Sequence, residues 1–437
     1  MKKLYNAFAT GLLIFICLSG TGQGFHVKQV ITGNSGKFEF MPPFEDYVTL
    51  QQYDPANQAT AIFGAIFTQS VQDILIIEPF AYVSAQDTIA KYNLNTLDRI
   101  AAVADSGVNK LVICDGKLVV SKQYPITTYF ASVRDTSDLS LVTNIEGISG
   151  EAAGIVCAHD SLYMAVNGGW MGSDGKIAVI DPATWTLVRE IQLGSDAVGI
   201  FNLYLYKDQL ISVNKTPYGV PDLGSLTVYD PETGAFQNHL FGVTIGNGCG
   251  INDSLIYVVI NNGIGSVNLN TMLIADSTII PDPGSSLFTY ITSAAVDTIS
   301  DRLYVNVGDY FTPGYCLIAS SSGDSLTSYA TGISSEAIAI DYRENAAGFE
   351  TGEQPAVNAL VIYPNPADEF IRIRFQKQLA TCRLIVTDLA GRTLIQHEIN
   401  APAGITERIN IRHLSSGVYL LVVEHAEGNA VSRFIKR

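Results

Sequence analysis

The residues best suited to chemistry in this sequence are aromatic, and the chemistry they suit is recognition rather than bond-making. Trp170 lies in Gly168-Gly-Trp-Met-Gly-Ser-Asp-Gly175 and Tyr218 in Thr216-Pro-Tyr-Gly-Val-Pro221. Tyr124 precedes a proline, Tyr310 and Phe311 precede Thr312-Pro313-Gly314, and Phe38, Phe40 and Phe44 crowd one short stretch. Each lies in a segment whose glycines and prolines mark a connection rather than a strand. Rings on variable connections over a rigid scaffold give large contact area at little entropic cost. Trp170 is the strongest single anchor, because tryptophan is over-represented at binding hot spots.

Catalytic signatures do not emerge. His26, His159 and His239 stand singly, without a partner at metal-ligand spacing, and there is no GxSxG elbow, HExxH, P-loop or DxDxDG loop. Gly246-Asn-Gly-Cys-Gly250 reads as a crowded strand rather than a phosphate cradle. Beyond Cys17, the cysteines Cys114, Cys157, Cys249, Cys316 and Cys382 are odd in number and scattered. They are expected to be small buried side chains; one disulfide among them is possible and is not predicted. No catalytic, metal or cofactor residue is assigned.

The elements that must hold these loops repeat. Residues 25–345 are strand-like runs broken by Gly, Asn, Asp and Pro. A turn Asp followed by an apolar pair recurs at Asp115, Asp160, Asp208, Asp253 and Asp301, with spacings of 45, 48, 45 and 48. An Asp suits a tight hairpin because its side chain can bond the backbone there. A small polar residue ends the following strand at Ser84, Ser121, Asn167, Asn214, Asn261 and Asn306. A later hairpin reads Tyr53-Asp54-Pro55, Tyr92-Asn93-Leu94, Ile180-Asp181-Pro182, Tyr229-Asp230-Pro231 and Val267-Asn268-Leu269. Three markers in fixed order describe one four-stranded unit repeated around a ring, the pattern of a β-propeller. Six units start near Gln69, Gly107, Gly150, Ser195, Thr244 and Ser285. The seventh is split, with Ser335–Asp341 supplying its first strand and His26–Phe67 the other three. In such a unit the aromatic segments all fall between second and third strands, on one face.

The last 80 residues differ. After a linker at 346–358, seven strand-like runs fill 359–437, and Ile371, Ile373 and Phe375 alternate with Arg372, Arg374 and Gln376 as in a half-buried strand. The fold class is therefore all-β: a seven-bladed β-propeller at 25–345 followed by a small Ig-like β-sandwich. Four ordered motifs in the tail carry a resemblance: Tyr363-Pro364-Asn365-Pro366, Asp388-Leu-Ala-Gly391, Gly417-Val-Tyr419, and the terminal Phe434-Ile-Lys436-Arg437. The tail resembles the type A sorting domain of the type IX (Por) secretion system. The resemblance implies a Bacteroidetes-type export route, with the secretion machinery as partner and an end point on the surface or outside the cell. In the middle, Lys176–Thr184 and Ser225–Gly234 resemble YVTN-type or quinoprotein-like propellers of bacterial cell-surface proteins. That likeness implies fold and not function.

Composition agrees with export and narrows the partners. Lys2, Lys3 and the apolar run Ala7–Leu18 make Met1–Gly24 a secretory signal, and the run is too short to span a bilayer. The net charge is −16, and the last 81 residues carry ten basic and seven acidic side chains, so the acidic excess sits in the middle. An acidic body argues against nucleic acid, whose affinity rests on a basic footprint. The expectation is an exported, non-catalytic module for an unidentified extracellular ligand: a glycan, a peptide or protein, or haem. The alternatives are a propeller hydrolase or lyase acting on an extracellular polymer, and a structural surface-layer protein.

Overall fold

A computed structural model describes residues 25–39, 44–169, 171–284 and 289–344, and in the tail 360–363, 367, 369–375, 379–388, 392–401, 406–415, 417–425 and 428–436. The signal segment, the linker, Phe40 and Trp170 lie outside the described residues. The chain divides into two compact units, one of them Gly24–Glu344 and the other containing Asn345–Arg437.

Among the described residues the first unit holds seven four-stranded antiparallel sheets. The chain opens with β1 (Phe25–Asn34), β2 (Val48–Asp54) and β3 (Ala59–Ile66). Six sheets of four successive strands follow. They are β4–β7 (Val71–Ile77, Phe80–Ala85, Thr88–Asn93, Arg99–Ala104) and β8–β11 (Val108–Cys114, Lys117–Lys122, Ala131–Asp135, Leu141–Ile145). Next come β12–β15 (Ala152–Ala158, Ser161–Val166, Lys176–Asp181, Thr186–Gln192) and β16–β19 (Ile200–Tyr206, Gln209–Asn214, Ser225–Tyr229, Phe236–Leu240). The last are β20–β23 (Ile245–Asn252, Leu255–Ile260, Gly263–Asn268, Leu273–Ile280) and β24–β27 (Tyr290–Asp297, Arg302–Gly308, Pro313–Ser320, Ser325–Ile333). Finally β28 (Ala337–Glu344) pairs with β1, giving the order β28-β1-β2-β3, with Val30 opposite Ile340 and Ile31 opposite Ala339. The first strands begin within five residues of the expected unit starts; at Ser195–Ala197 a 3-10 turn precedes β16.

Burial explains the sequence pattern. The second strand of a sheet is covered on both faces by its neighbours, so Leu162-Tyr163-Met164-Ala165-Val166 is a continuous apolar run and is buried throughout. Fourth strands face solvent, and Thr186–Gln192 has no buried residue. The two turn markers work by different chemistry. Asp115, Asp160, Asp208, Asp253 and Asp301 adopt positive φ between 45° and 63°, a region Asp tolerates better than most residues. In the later hairpin the carboxylate or amide oxygen does accept a backbone N–H two residues on: Ala56 on Asp54, Asn95 on Asn93, Ala183 on Asp181, Glu232 on Asp230 and Asn270 on Asn268.

First strands neighbour one another in chain order, β4 to β8 and on to β24, then β28, and β28 neighbours β4, so the series returns on itself. Polar residues fasten the joins. Ser84 Oγ donates to Asn109 O at 2.6 Å, Asn109 Nδ2 to Ala152 O at 2.8 Å, and Ser293 Oγ to Ser335 O at 2.7 Å. Asn34 Oδ1 accepts from Ser335 Oγ at 2.8 Å across the closing sheet. One disulfide, Cys114–Cys157, joins the end of β8 to the end of β12. Spacing alone did not predict it, since residues 43 apart in sequence meet only because their first strands are neighbours.

The second unit has two sheets among the described residues. β29 (Leu360–Tyr363), β30 (Phe370–Phe375) and β33 (Thr406–Asn410) form one, in that order. β31 (Leu379–Asp388), β32 (Thr393–Ala401), β34 (Gly417–His425) and β35 (Gly428–Lys436) form the other, in the order β32-β31-β34-β35. Ile371 and Ile373 from the first pack with Leu384, Val386, Leu421 and Phe434 from the second in one core.

Candidate functional site

Antiparallel order puts two kinds of connection at one end of every sheet in the first unit: second strand to third, and fourth strand to the next first. Five such segments line a cavity of about 310 Å³, with Ser35, Phe38, Phe44, Gln69, Tyr310 and Glu336 among its residues. Residues 37–39 are held in place by their neighbours. Phe38 N donates to Tyr310 O at 2.9 Å, and Gln69 Nε2 donates to Lys37 O at 2.7 Å while its Oε1 accepts from Glu39 N at 3.2 Å.

The rings converge. Tyr310 lies 6.2 Å from Phe38, 5.3 Å from Tyr290 and 6.4 Å from Phe311, centroid to centroid, with tilted or edge-on planes. Such offset geometry is the favoured one for aromatic clusters. Phe38, Tyr310 and Phe311 remain partly open to solvent. Beside them Glu336 accepts Ser35 Oγ at 2.5 Å and Ser334 Oγ at 3.2 Å. Burial holds its carboxyl above the usual range, against the opposing pull of those hydroxyls. Burial likewise raises the Tyr290 phenol. The cavity therefore offers aromatic faces, an amide and a carboxyl whose charged form burial disfavours.

Of the residues expected to bind, the structure brings Tyr310 and Phe311 together with Phe38. Tyr124 and Tyr218 stand on the connections 123–130 and 215–224 of other sheets, 78% and 73% exposed. Phe40 and Trp170 lie outside the described residues. Sequence reading missed Gln69, Ser35 and Glu336, which come from three separate segments. The polar run Ser334-Ser335-Glu336 ahead of an apolar strand was the one available signal. A wider groove of about 820 Å³ lies at the opposite sheet end, between turn residues such as His159, Lys207, Asp208 and Glu232 and Arg189 of β15. His159 Nε2 is 3.9 Å from Asp208, which is largely exposed, and Tyr163 in the lining lies 6.4 Å from Tyr229, centroid to centroid. Among the described residues no group of three or more His, Cys, Asp or Glu is placed to hold a metal ion.

In the second unit, pairing gathers the tail motifs from distant points of the sequence. Asp388 is opposite Tyr419, Gly417 is opposite Lys436, and Lys436 bridges to Ala367. Tyr363 is opposite Arg372 on the other sheet. Tyr419 is buried against Phe434 at 5.7 Å, and its hydroxyl donates to Ser415 O at 2.8 Å. Pro364, Asn365, Pro366 and Gly391 lie outside the described residues.

Residues 361–437 match the secretion system C-terminal sorting domain. That domain directs secretion by the type IX system to the surface or the extracellular space. No described helix is long and apolar enough to cross a membrane. No curated protein matches the chain. Among solved structures, the extracellular domain of a one-component system from B. thetaiotaomicron is similar at 14% identity and a TM-score of 0.48, over 93% of this chain. The chain spans 57% of that structure's length. Dihydro-heme d1 dehydrogenase NirN gives 13% and 0.47, over 72% of this chain and 75% of its own. PorZ, a surface component of the type IX secretion system of Porphyromonas gingivalis, gives 10% and 0.37, over 89% and 73%.

Proposed function

We propose that the protein is an exported seven-bladed β-propeller that binds an extracellular ligand on its loop-bearing face without transforming it, the Ig-like tail serving export. The closed series of seven sheets supports the blade count, and the Phe38–Tyr310–Glu336 cavity carries the binding reading. Its volume is at the low end of small-molecule sites, roughly 300–1,000 Å³. That size favours a sugar unit of a glycan or a side chain of a peptide over a haem macrocycle. Aromatic faces stack on a sugar or an apolar side chain, while Gln69 and Glu336 would fix orientation through hydrogen bonds.

The test is a thermal-shift and calorimetric screen of the secreted protein against oligosaccharides, peptides and haemin, since a ligand of the native state raises its melting temperature. Tyr310→Ala should weaken the binding found by about 2 kcal/mol, as truncation of a hot-spot ring does, with little change in melting. Unchanged affinity would move the site elsewhere. The raised Glu336 carboxyl, with Glu39 in the same cavity, favours a second, catalytic reading in which Glu336 is a general acid. Turnover of a bound oligosaccharide that Glu336→Gln abolishes while binding persists would select it.

A further inference from the structure

The space bounded by the first strands contains an arrangement that the aromatic cavity does not use. Lys110 is on β8, Phe201 is on β16, and β12 lies between those strands in the series. Lys110 Nζ is 5.7 Å from the centroid of the Phe201 ring, a contact that passes over β12. Lys215, just after β17, brings its Nζ within 4.2 Å of the same ring. Two ammonium groups thus approach one aromatic ring in a chain whose net charge is −16.

Backbone fit holds them there. Gly154 on β12 lets β16 approach: a Cβ at that position would lie 2.5 Å from Phe201 O. Gly199, at φ +83°, accepts Lys215 N at 2.9 Å, and a Cβ on it would lie 2.2 Å from Lys215 O. Only glycine tolerates both that φ and that contact.

The nearby acids are already engaged. Lys110 Nζ donates to Gln72 O at 2.5 Å and lies 3.8 Å from Asp73, which also accepts Leu111 N at 2.9 Å. Glu336, whose carboxyl feels Lys110, is held by two serine hydroxyls. The Lys215 ammonium has neither a hydrogen bond nor an ion pair among the described residues. Burial first, and Lys110 second, push it down to about 8. A partly buried ammonium without an acceptor is costly unless something fills the place.

We propose that Lys215, with Lys110 and the Phe201 face, forms an anion site in the central space that takes a carboxylate. Two sources share that chemistry, a free organic acid and a uronate unit of an oligosaccharide. Lys215 and Phe201 do not line the Tyr310 cavity, while Lys110 is near enough to that cavity's Glu336 to act on its carboxyl. The experiment is calorimetry of the full secreted protein at low salt with galacturonate, trigalacturonate and methyl-esterified trigalacturonate. Both acids should bind, with the ester at least ten-fold weaker. K215M should lose at least ten-fold in affinity for the acids while melting no earlier than the wild type. K215R should retain binding, and Tyr310→Ala should leave it untouched. Equal affinity for monomer and trimer identifies the free acid as sufficient, and a tighter trimer identifies the saccharide; either supports the site. Should K215M fail to fold, K110M and K215R carry the same comparison, with loss in the first and retention in the second expected. The proposal is overturned if neither acid binds, if the ester binds as well as the acid, or if K215M binds trigalacturonate like the wild type.

Discussion

At the scale of single residues, the chain keeps its charges where they are compensated, and the compensated ones are structural. Asp105 is the clearest case. Its carboxylate pairs with Lys122 and, at 2.8 Å, with Arg134, and all three side chains are less than a tenth exposed. Arg134 also donates to Leu139 O at 2.8 Å, so the triad ties the turn after β7 to the third strand of the next sheet. Removing one member of a buried ionic group leaves the others desolvated and unpaired, which costs about 3–5 kcal/mol. Asp105→Asn should therefore lower unfolding free energy by that amount, measured by denaturant titration. A loss below about 1 kcal/mol, the range of an exposed pair, would mean that water reaches the site. Lys215 is the contrast: a cation held by glycine contacts and an aromatic face with no acid assigned to it. That difference separates a residue serving the fold from one available to a ligand.

At the scale of elements, the sequence was most legible where local chemistry repeats. Turn aspartates, strand-ending Asn and Ser, and the later Asp or Asn hairpins recur because every sheet solves the same turn problems, so unit order could be read without coordinates. The split sheet was legible for a related reason: β28 had no following strands and β1–β3 no preceding one. What stayed hidden depends on contacts between sheets. The cavity takes Phe38, Gln69, Tyr310 and Glu336 from separate connections, and no spacing rule links them. Lys110 and Lys215 approach the same ring, Phe201, from different sheets, and each looks like an ordinary surface lysine in the sequence. The disulfide between β8 and β12 is of the same kind. It closes a loop of 43 residues and fastens two adjacent sheets at the end opposite the aromatic cavity. Cross-linking the unfolded chain over such a loop stabilises by about 2–4 kcal/mol. Replacing Cys114 and Cys157 together by Ser should lower the melting temperature accordingly and leave ligand affinity at the far face unchanged. A protein that melts at the wild-type temperature would show that the bond does not form in the secreted material.

At the scale of the whole molecule, the seven sheets and the sorting domain form two units with separate cores. The first unit buries its apolar residues between successive sheets and closes on itself through β28, using no strand from the tail. The second buries Ile371, Leu384, Val386, Leu421 and Phe434 in a core of its own, and its sorting motifs are gathered by pairing within that core. Closure within each unit means that neither needs the other to satisfy its backbone or cover its apolar faces. Deleting Ala359–Arg437 should then leave a first unit that melts cooperatively at nearly the full-length temperature and binds with unchanged affinity. The same deletion should stop the chain in the periplasm, because the sorting domain is what directs type IX secretion. Fractionation of cells producing full-length and truncated protein reads the second expectation directly, and calorimetry of the purified truncation reads the first. Secretion of the truncated chain at the full-length level would place the export signal outside the tail. Loss of cooperative melting would place part of the first unit's stability in residues beyond Glu344.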